Sequence, residues 1–175
     1  MSRSFAARAL FACAALAFAA TEATADTPTL LGVSQNWSAF TQGSGSAKTC
    51  YAISKPTATS PKKKRDPIYF LITDWPGRRT KSEPEVVPGY QYKDGAPITA
   101  AVGPAKFELF SKNDGGQGAA WVRERADEIK LIEAMKQGQS LVVAGTSLRG
   151  TRTTDTYSLA GLSDALDKIH AACGF

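Results

Sequence analysis

Ile68-Tyr69-Phe70-Leu71-Ile72-Thr73, closed on one side by Pro67 and on the other by Pro76, is the stretch on which the fold turns. It is too short for a typical helix, carries no turn residue and is rich in β-branched and aromatic side chains, so it reads as a central strand at the heart of the core. Outward from it the same grammar repeats. All nine prolines fall between Pro28 and Pro104 and separate short β-rich runs, the spacing of a sandwich or barrel and not of a helical bundle. Upstream, Trp37 to Thr41 alternates large apolar with small polar residues. Thr49 to Ser54 alternates again, with Tyr51 and Ile53 on one face and Cys50 and Ala52 on the other. Downstream, Glu85 to Tyr92, Ile98 to Val102, Lys106 to Phe110 and Ala119 to Val122 are further strand candidates. They are punctuated by Lys93-Asp94-Gly95 and Asn113-Asp114-Gly115-Gly116, both turn-forming. Ser140 to Ser147 and Thr151 to Leu159, joined by Leu148-Arg149-Gly150, form the clearest hairpin.

Two helices interrupt the strands. Asp127 is placed to cap a short one carrying Leu131, Ile132 and Met135 on one side, with Gly138 as its stop. Ser163 is placed to cap a C-terminal one in which Leu162, Ala165, Leu166, Ile169 and Cys173 recur at helical spacing before Gly174. The expected fold is therefore mainly β, in one domain, with a short helix and a C-terminal helix.

The amino terminus has the three parts of an export signal: Arg3 and Arg8, an apolar run from Ala9 to Ala20, and small residues at Ala23-Thr24-Ala25. A run of about a dozen apolar residues is short of the roughly twenty needed to cross a bilayer, so a retained anchor is disfavoured. Cleavage near Ala25 leaves residues 26–175 as the mature domain and predicts a periplasmic or secreted protein with no transmembrane helix. Leu10-Phe11-Ala12-Cys13 loosely matches a lipoprotein box but lies too early for one. Residues 1–25 carry Arg3, Arg8 and Glu22, so processing lowers the net charge from +5 to +4. A mild positive balance favours acidic surfaces without diagnosing nucleic-acid binding, and export argues against a nucleic-acid partner. Cys50 and Cys173 are the two cysteines of the mature chain, and an oxidising compartment predicts that they pair; the alternative is two buried free thiols.

Several residues in order along the chain resemble the invasion-associated locus B proteins. They are Arg65-Asp66-Pro67 with the central strand, Glu85 with Gly89-Tyr90, Ala120-Trp121, Gly145-Thr146-Ser147, Arg149-Gly150-Thr151 and Thr154-Asp155-Thr156-Tyr157-Ser158-Leu159. The resemblance runs from about Trp37 to Cys173. It implies an immunoglobulin-like β-sandwich, an envelope or secreted location, a role in host-cell invasion or in the envelope itself, and no established enzymatic activity. The lysine run Lys62-Lys63-Lys64 departs from the family pattern by making its loop more basic.

Candidate binding residues fall into two groups. Lys62, Lys63, Lys64 and Arg65 form a basic run suited to anionic lipid, lipopolysaccharide or another polyanion; the simpler alternative is a solvated loop that keeps the adjacent apolar strand soluble. Thr153, Asp155 and Tyr157 alternate onto one strand face near Arg149 and Arg152, so a carboxylate, a guanidinium and a phenol can meet there. The structural alternative is that Arg149 or Arg152 pairs with Asp155 and fixes hairpin register. His170 is the only histidine and reads as a surface residue; no catalytic residues, metal ligands or cofactor site assemble around it. Trp37, Trp75 and Trp121 suggest either a sugar platform or core packing, with Trp75 the most exposed. The leading expectation is a non-enzymatic interaction module with an unidentified macromolecular, envelope or host-surface partner. The alternatives are a structural envelope-integrity factor and a hydrolase of envelope polymers using Asp155, Glu85 or Asp66 as paired carboxylates.

Overall fold

The structure, a computed structural model, describes residues 26–175; the stretch expected to be an export signal, with Cys13 and the expected cleavage site, lies outside the described residues. The central run forms β5 (Tyr69–Trp75), flanked by β3 (Thr49–Ser54) and β6 (Thr80–Val87) in antiparallel register, with Leu71 opposite both Ile53 and Glu85. The order continues outward through β2 (Trp37–Gln42) to the edge strand β1 (Thr29–Ser34). On the other side it continues through β9 (Gln117–Val122), β8 (Ala105–Asp114), β7 (Ile98–Val102), β10 (Ser140–Thr146) and β11 (Arg152–Ser158) to the edge strand β4 (Ala58–Ser60). These eleven strands make one continuous sheet that curls until its halves face each other as the layers of a β-sandwich. Phe70 of β5 meets Tyr157 of β11 edge-on at 5.7 Å and Trp37 of β2 at 6.3 Å, while the Trp37 indole N–H donates to the Ser158 carbonyl. Alternation does the sorting: Cys50, Ala52, Phe70, Ile72, Leu141, Val143 and Tyr157 all point into the shared core.

Helix α1 (Arg125–Gln137) packs against β6 to β9, and α2 (Leu162–Cys173) packs against β1, β2, β3 and β5. The stripe Leu162, Ala165, Leu166, Ile169 and Cys173 is buried as its spacing predicts. Cys173 is joined to Cys50 of β3 by a disulfide across 123 residues, so the last helix is tied covalently to an early strand. Free thiols are thereby excluded.

Four boundaries differ from expectation for identifiable reasons. The strand expected over Glu85 to Tyr92 ends at Val87 because Pro88 and the left-handed Gly89 break it; Tyr92 makes only an isolated bridge to Ser147. That strand begins instead at Thr80 and runs through Pro84, which is tolerated because β9 pairs with β6 only at Glu85 and Val86. Neither helix starts at its expected cap: α1 follows Glu124, leaving Asp127 in the first turn, where its charge complements the helix dipole, and α2 follows Gly161. Gly138 and Gly174 do end them, the latter in the left-handed conformation of a helix stop.

Candidate functional site

Three segments distant in sequence meet at one surface of the sandwich: the loop from Pro61 to Asp66, the loop from Gly89 to Gln91, and the tip of the β10–β11 hairpin from Ser147 to Thr151. They enclose a cleft of about 600 Å³. Gly89 is what allows the first two to close on each other. Its φ is +72° and a Cβ there would lie 2.2 Å from the Asp66 carbonyl oxygen, so no other residue fits without moving the loop.

Arg65 sits beneath the lysines, and it is neither solvated nor free. Its guanidinium donates to both carboxylate oxygens of Asp155 in a bidentate pair, with Nη1 at 3.0 Å from Oδ2 and also 3.1 Å from the Pro88 carbonyl. The two side chains are 9% and 3% exposed. The partner of Asp155 is thus Arg65, not Arg149 or Arg152, and the contact ties the lysine loop to β11 instead of setting hairpin register within it. Burial alone would lower the Arg65 pKa, but the bond and charge of Asp155 outweigh it and the net direction is upward.

Aromatic rings complete the floor. The Arg65 guanidinium lies 5.6 Å from the Tyr90 ring centroid, and the Tyr90 hydroxyl pairs with Thr153 Oγ1 at 2.5 Å. Tyr92 packs edge-on against Tyr90 at 5.3 Å. Thr153, Asp155 and Tyr157 do share one inward face, as their alternation predicts. Burial raises the pKa of Tyr90, Tyr92 and Tyr157, so all three phenols stay neutral. The hydroxyls of Tyr92 and Tyr157 are buried without a protein partner.

Among the residues selected from sequence, Lys63, Lys64, Arg65 and Arg149 line the cleft. Lys62 is exposed beside it, and Arg152 points away from the buried face of β11. Tyr90, Gln91 and Leu148 also line it and escaped selection, because their contribution depends on a loop-to-loop contact that leaves no local pattern.

His170 departs from the surface reading. Its side chain is 18% exposed, with Nε2 2.9 Å from Ser82 Oγ and 3.7 Å from Asp74 Oδ1. Ser82 has φ +56° and donates its N–H to the same Asp74 oxygen at 2.8 Å. This Ser-His-Asp group does not have the connectivity of a nucleophilic triad, in which the carboxylate holds the nitrogen opposite the one facing serine; here both partners face Nε2. The carboxylates of the hydrolase alternative are each engaged or turned elsewhere. Asp155 is occupied by Arg65, Asp66 accepts from Gln117 at 2.8 Å, and Glu85 faces the outside of the sheet opposite Trp121. Burial and then the neighbouring Glu83 raise the Glu85 pKa, opposed by a hydrogen bond from Trp121. Trp37 is fully buried in the core, while Trp75 and Trp121 are half-buried on the outer face. Arg78 covers the Trp75 ring at 4.2 Å, which leaves no open tryptophan platform there. Among the described residues no group of three or more His, Cys, Asp or Glu is placed to hold a metal ion, and no helix is long and apolar enough to cross a membrane.

Comparison with known families matches residues 37–170 to the model for the invasion associated locus B (IalB) protein. The chain belongs to the IalB family. The matched span holds the whole cleft, from the lysine loop to Thr153, together with Cys50. Among solved structures, the crystal structure of invasion associated protein b from Bartonella henselae aligns with a TM-score of 0.57 at 14% identity, covering 82% of this chain and 98% of that one. At that identity the likeness establishes the IalB sandwich and not its activity. Comparison with curated proteins yields no match.

Proposed function

We infer that this IalB-family chain is an exported, non-enzymatic envelope or secreted module that works by binding a macromolecular or surface partner at the basic cleft. One observation carries the reading. Lys63 and Lys64 from one loop and Arg149 from a hairpin 85 residues later are brought to the same cleft, and none of the three forms a salt bridge among the described residues. Arg65, by contrast, is neutralised by Asp155 and supplies rigidity, not free charge. The tripartite amino terminus and the disulfide support export, since such bridges persist in oxidising compartments.

The test is crosslinking from an envelope extract, using the mature protein and the Lys63→Glu/Lys64→Glu double variant, together with fractionation and mapping of the mature amino terminus. The expected result is an amino terminus near Asp26, a non-cytosolic fraction, and crosslinked partners that the double variant loses. Cytosolic protein with reduced thiols, or partners captured equally by both proteins, refutes the reading.

A further inference from the structure

The tip of the β10–β11 hairpin carries an apolar side chain out into solvent: Leu148 is 57% exposed and lines the rim of the cleft beside Arg149 and Lys63. The exposure does not come from a loose loop. The Leu148 N–H donates to the Gln91 carbonyl at 2.7 Å, Gly150 to Ser147 at 2.8 Å, and Ser147 to Thr151 at 2.9 Å, while the Thr151 N–H is held by Ser147 Oγ at 3.1 Å. A leucine held outward on a bonded tip gains little from folding, because more than half of its surface stays in water. Lys63, Lys64 and Arg149 line the same cleft and Lys62 adjoins them in the loop, all exposed and none in a salt bridge among the described residues. The one opposing charge at the cleft, Asp66, is turned to Gln117.

An apolar side chain projecting beyond a ring of unpaired cations matches the layering of a membrane surface, where phosphates lie at the level of the cations and the acyl boundary lies just beneath. We propose that the hairpin tip and the lysine loop dock the protein onto a lipid surface bearing anionic phosphate headgroups, with Leu148 entering the acyl boundary and Lys62, Lys63, Lys64 and Arg149 meeting the phosphates. This rests on reading the cleft as the binding site and names the surface it meets. Charge complementarity selects the partner, and Leu148 selects a lipid surface over a soluble polyanion, which offers no apolar layer.

The experiment is cosedimentation of the mature, oxidised protein with vesicles of phosphatidylcholine alone and of phosphatidylcholine enriched in phosphatidylglycerol, with heparin as a soluble polyanion. The expected result is salt-sensitive binding to the anionic vesicles only. Replacing the three lysines by glutamine weakens it roughly a hundredfold, at about fivefold per cation. Leu148→Ser weakens vesicle binding about tenfold while leaving heparin binding and thermal stability unchanged. Equal binding to both vesicle types, vesicle binding indifferent to Leu148→Ser, or binding to heparin with none to vesicles overturns the proposal. If vesicles fail while envelope partners are still captured through Lys63 and Lys64, the cleft reading stands and the lipid assignment alone falls.

Discussion

Arg65→Ala tests the frame of the cleft. The substitution removes a bidentate partner from Asp155, whose side chain is 3% exposed, and also removes the donor to the Pro88 carbonyl. Asp155 loses its salt-bridge partner, and the neighbouring phenols of Tyr90, Tyr92 and Tyr157 carry no positive charge to replace it. Breaking a buried pair from one side costs about 3–5 kcal/mol, most of it the uncompensated desolvation of the surviving ion. For a domain of this size each kcal/mol moves Tm by about 2–4 °C, so the variant should melt roughly 6–20 °C lower. Arg65→Lys keeps the charge but loses the fork geometry, and should fall between wild type and alanine. The double variant Arg65→Met/Asp155→Leu removes both charges and should recover most of the loss, since an apolar pair of similar volume avoids the desolvation cost. Arg149→Ala, at an exposed position, is the control and should stay within about 0.5 kcal/mol of wild type. Urea unfolding followed by tryptophan fluorescence, with the disulfide intact, reads all four; Trp37 in the core reports directly. If Arg65→Ala costs less than about 1 kcal/mol, or if the double variant is no better than the single, the pair does not hold the loop to β11 and the argument fails.

Reducing the Cys50–Cys173 bridge, which closes a loop of 123 residues, should lower stability by about 2–5 kcal/mol, read as a shift in urea midpoint between oxidised protein and the Cys50→Ser/Cys173→Ser variant. Gly89→Ala places a Cβ against the Asp66 carbonyl at a left-handed φ, and should both destabilise the fold and weaken any binding at the cleft, whereas alanine at Gly95, where φ is also positive but nothing lies within 4 Å, should show only the conformational cost of about 1 kcal/mol. The Asp74 and His170 pair predicts a compensated pH profile. Burial raises the Asp74 carboxyl to about 6, against the Ser82 N–H, Lys81 and Arg125, so its contribution is present below the unfolded carboxylate range and is lost as pH rises through about 6. Burial, followed by Lys81 and with Lys136 against Asp167, lowers His170 to about 4, so its contribution is present above about 6.5 and is lost as pH falls through about 4. The two oppose each other between about pH 4 and 6. Relative to wild type, Asp74→Asn should lose stability on acidification through that window and His170→Gln should gain it, measured by urea titration at each pH; parallel profiles for all three proteins would refute the two opposed contributions.

The parts of this fold that were legible in sequence are those governed by local periodicity. The run from Tyr69 to Thr73, the alternation of Thr49 to Ser54, the hairpin after Ser140 and the apolar stripe of the last helix each carry their own pattern, and each forms as read. With two cysteines after residue 25, one intramolecular pairing is possible there, and that pairing is present. The edge strands were not legible for equally physical reasons. Gly32 interrupts β1 with a bulge that shifts its alternation, leaving Leu30 and Val33 both exposed, and β4 is three residues long with a single paired face. An edge strand needs less side-chain burial to exist, so it writes a weaker pattern.

The site failed to be legible in a different way. Its charged members are visible in sequence, but Tyr90, Gln91 and Leu148 are not, and neither is the pairing: sequence groups Arg65 with the lysines and Asp155 with the nearest arginines. Proximity along the chain favours Arg149 and Arg152, yet the pleat sends Arg152 to the face opposite Asp155, and the turn carries Arg149 out to the rim. What decides the partner is the curl of the sheet, which brings β4 and the loop after it alongside β11 at Thr59 and Asp155, within reach of Arg65. His170 follows the same logic, since a half-buried histidine on a helix becomes a partner of Ser82 only because α2 lies over β5 and its neighbours. A basic run next to an apolar strand therefore contains two kinds of cation, and only tertiary closure separates them. One is buried and paired with Asp155; the other three are exposed and form no salt bridge among the described residues. Charge reversal at Lys63 and Lys64 should accordingly change binding and not stability, while removal of Arg65 should change stability first and binding only through the loop it holds.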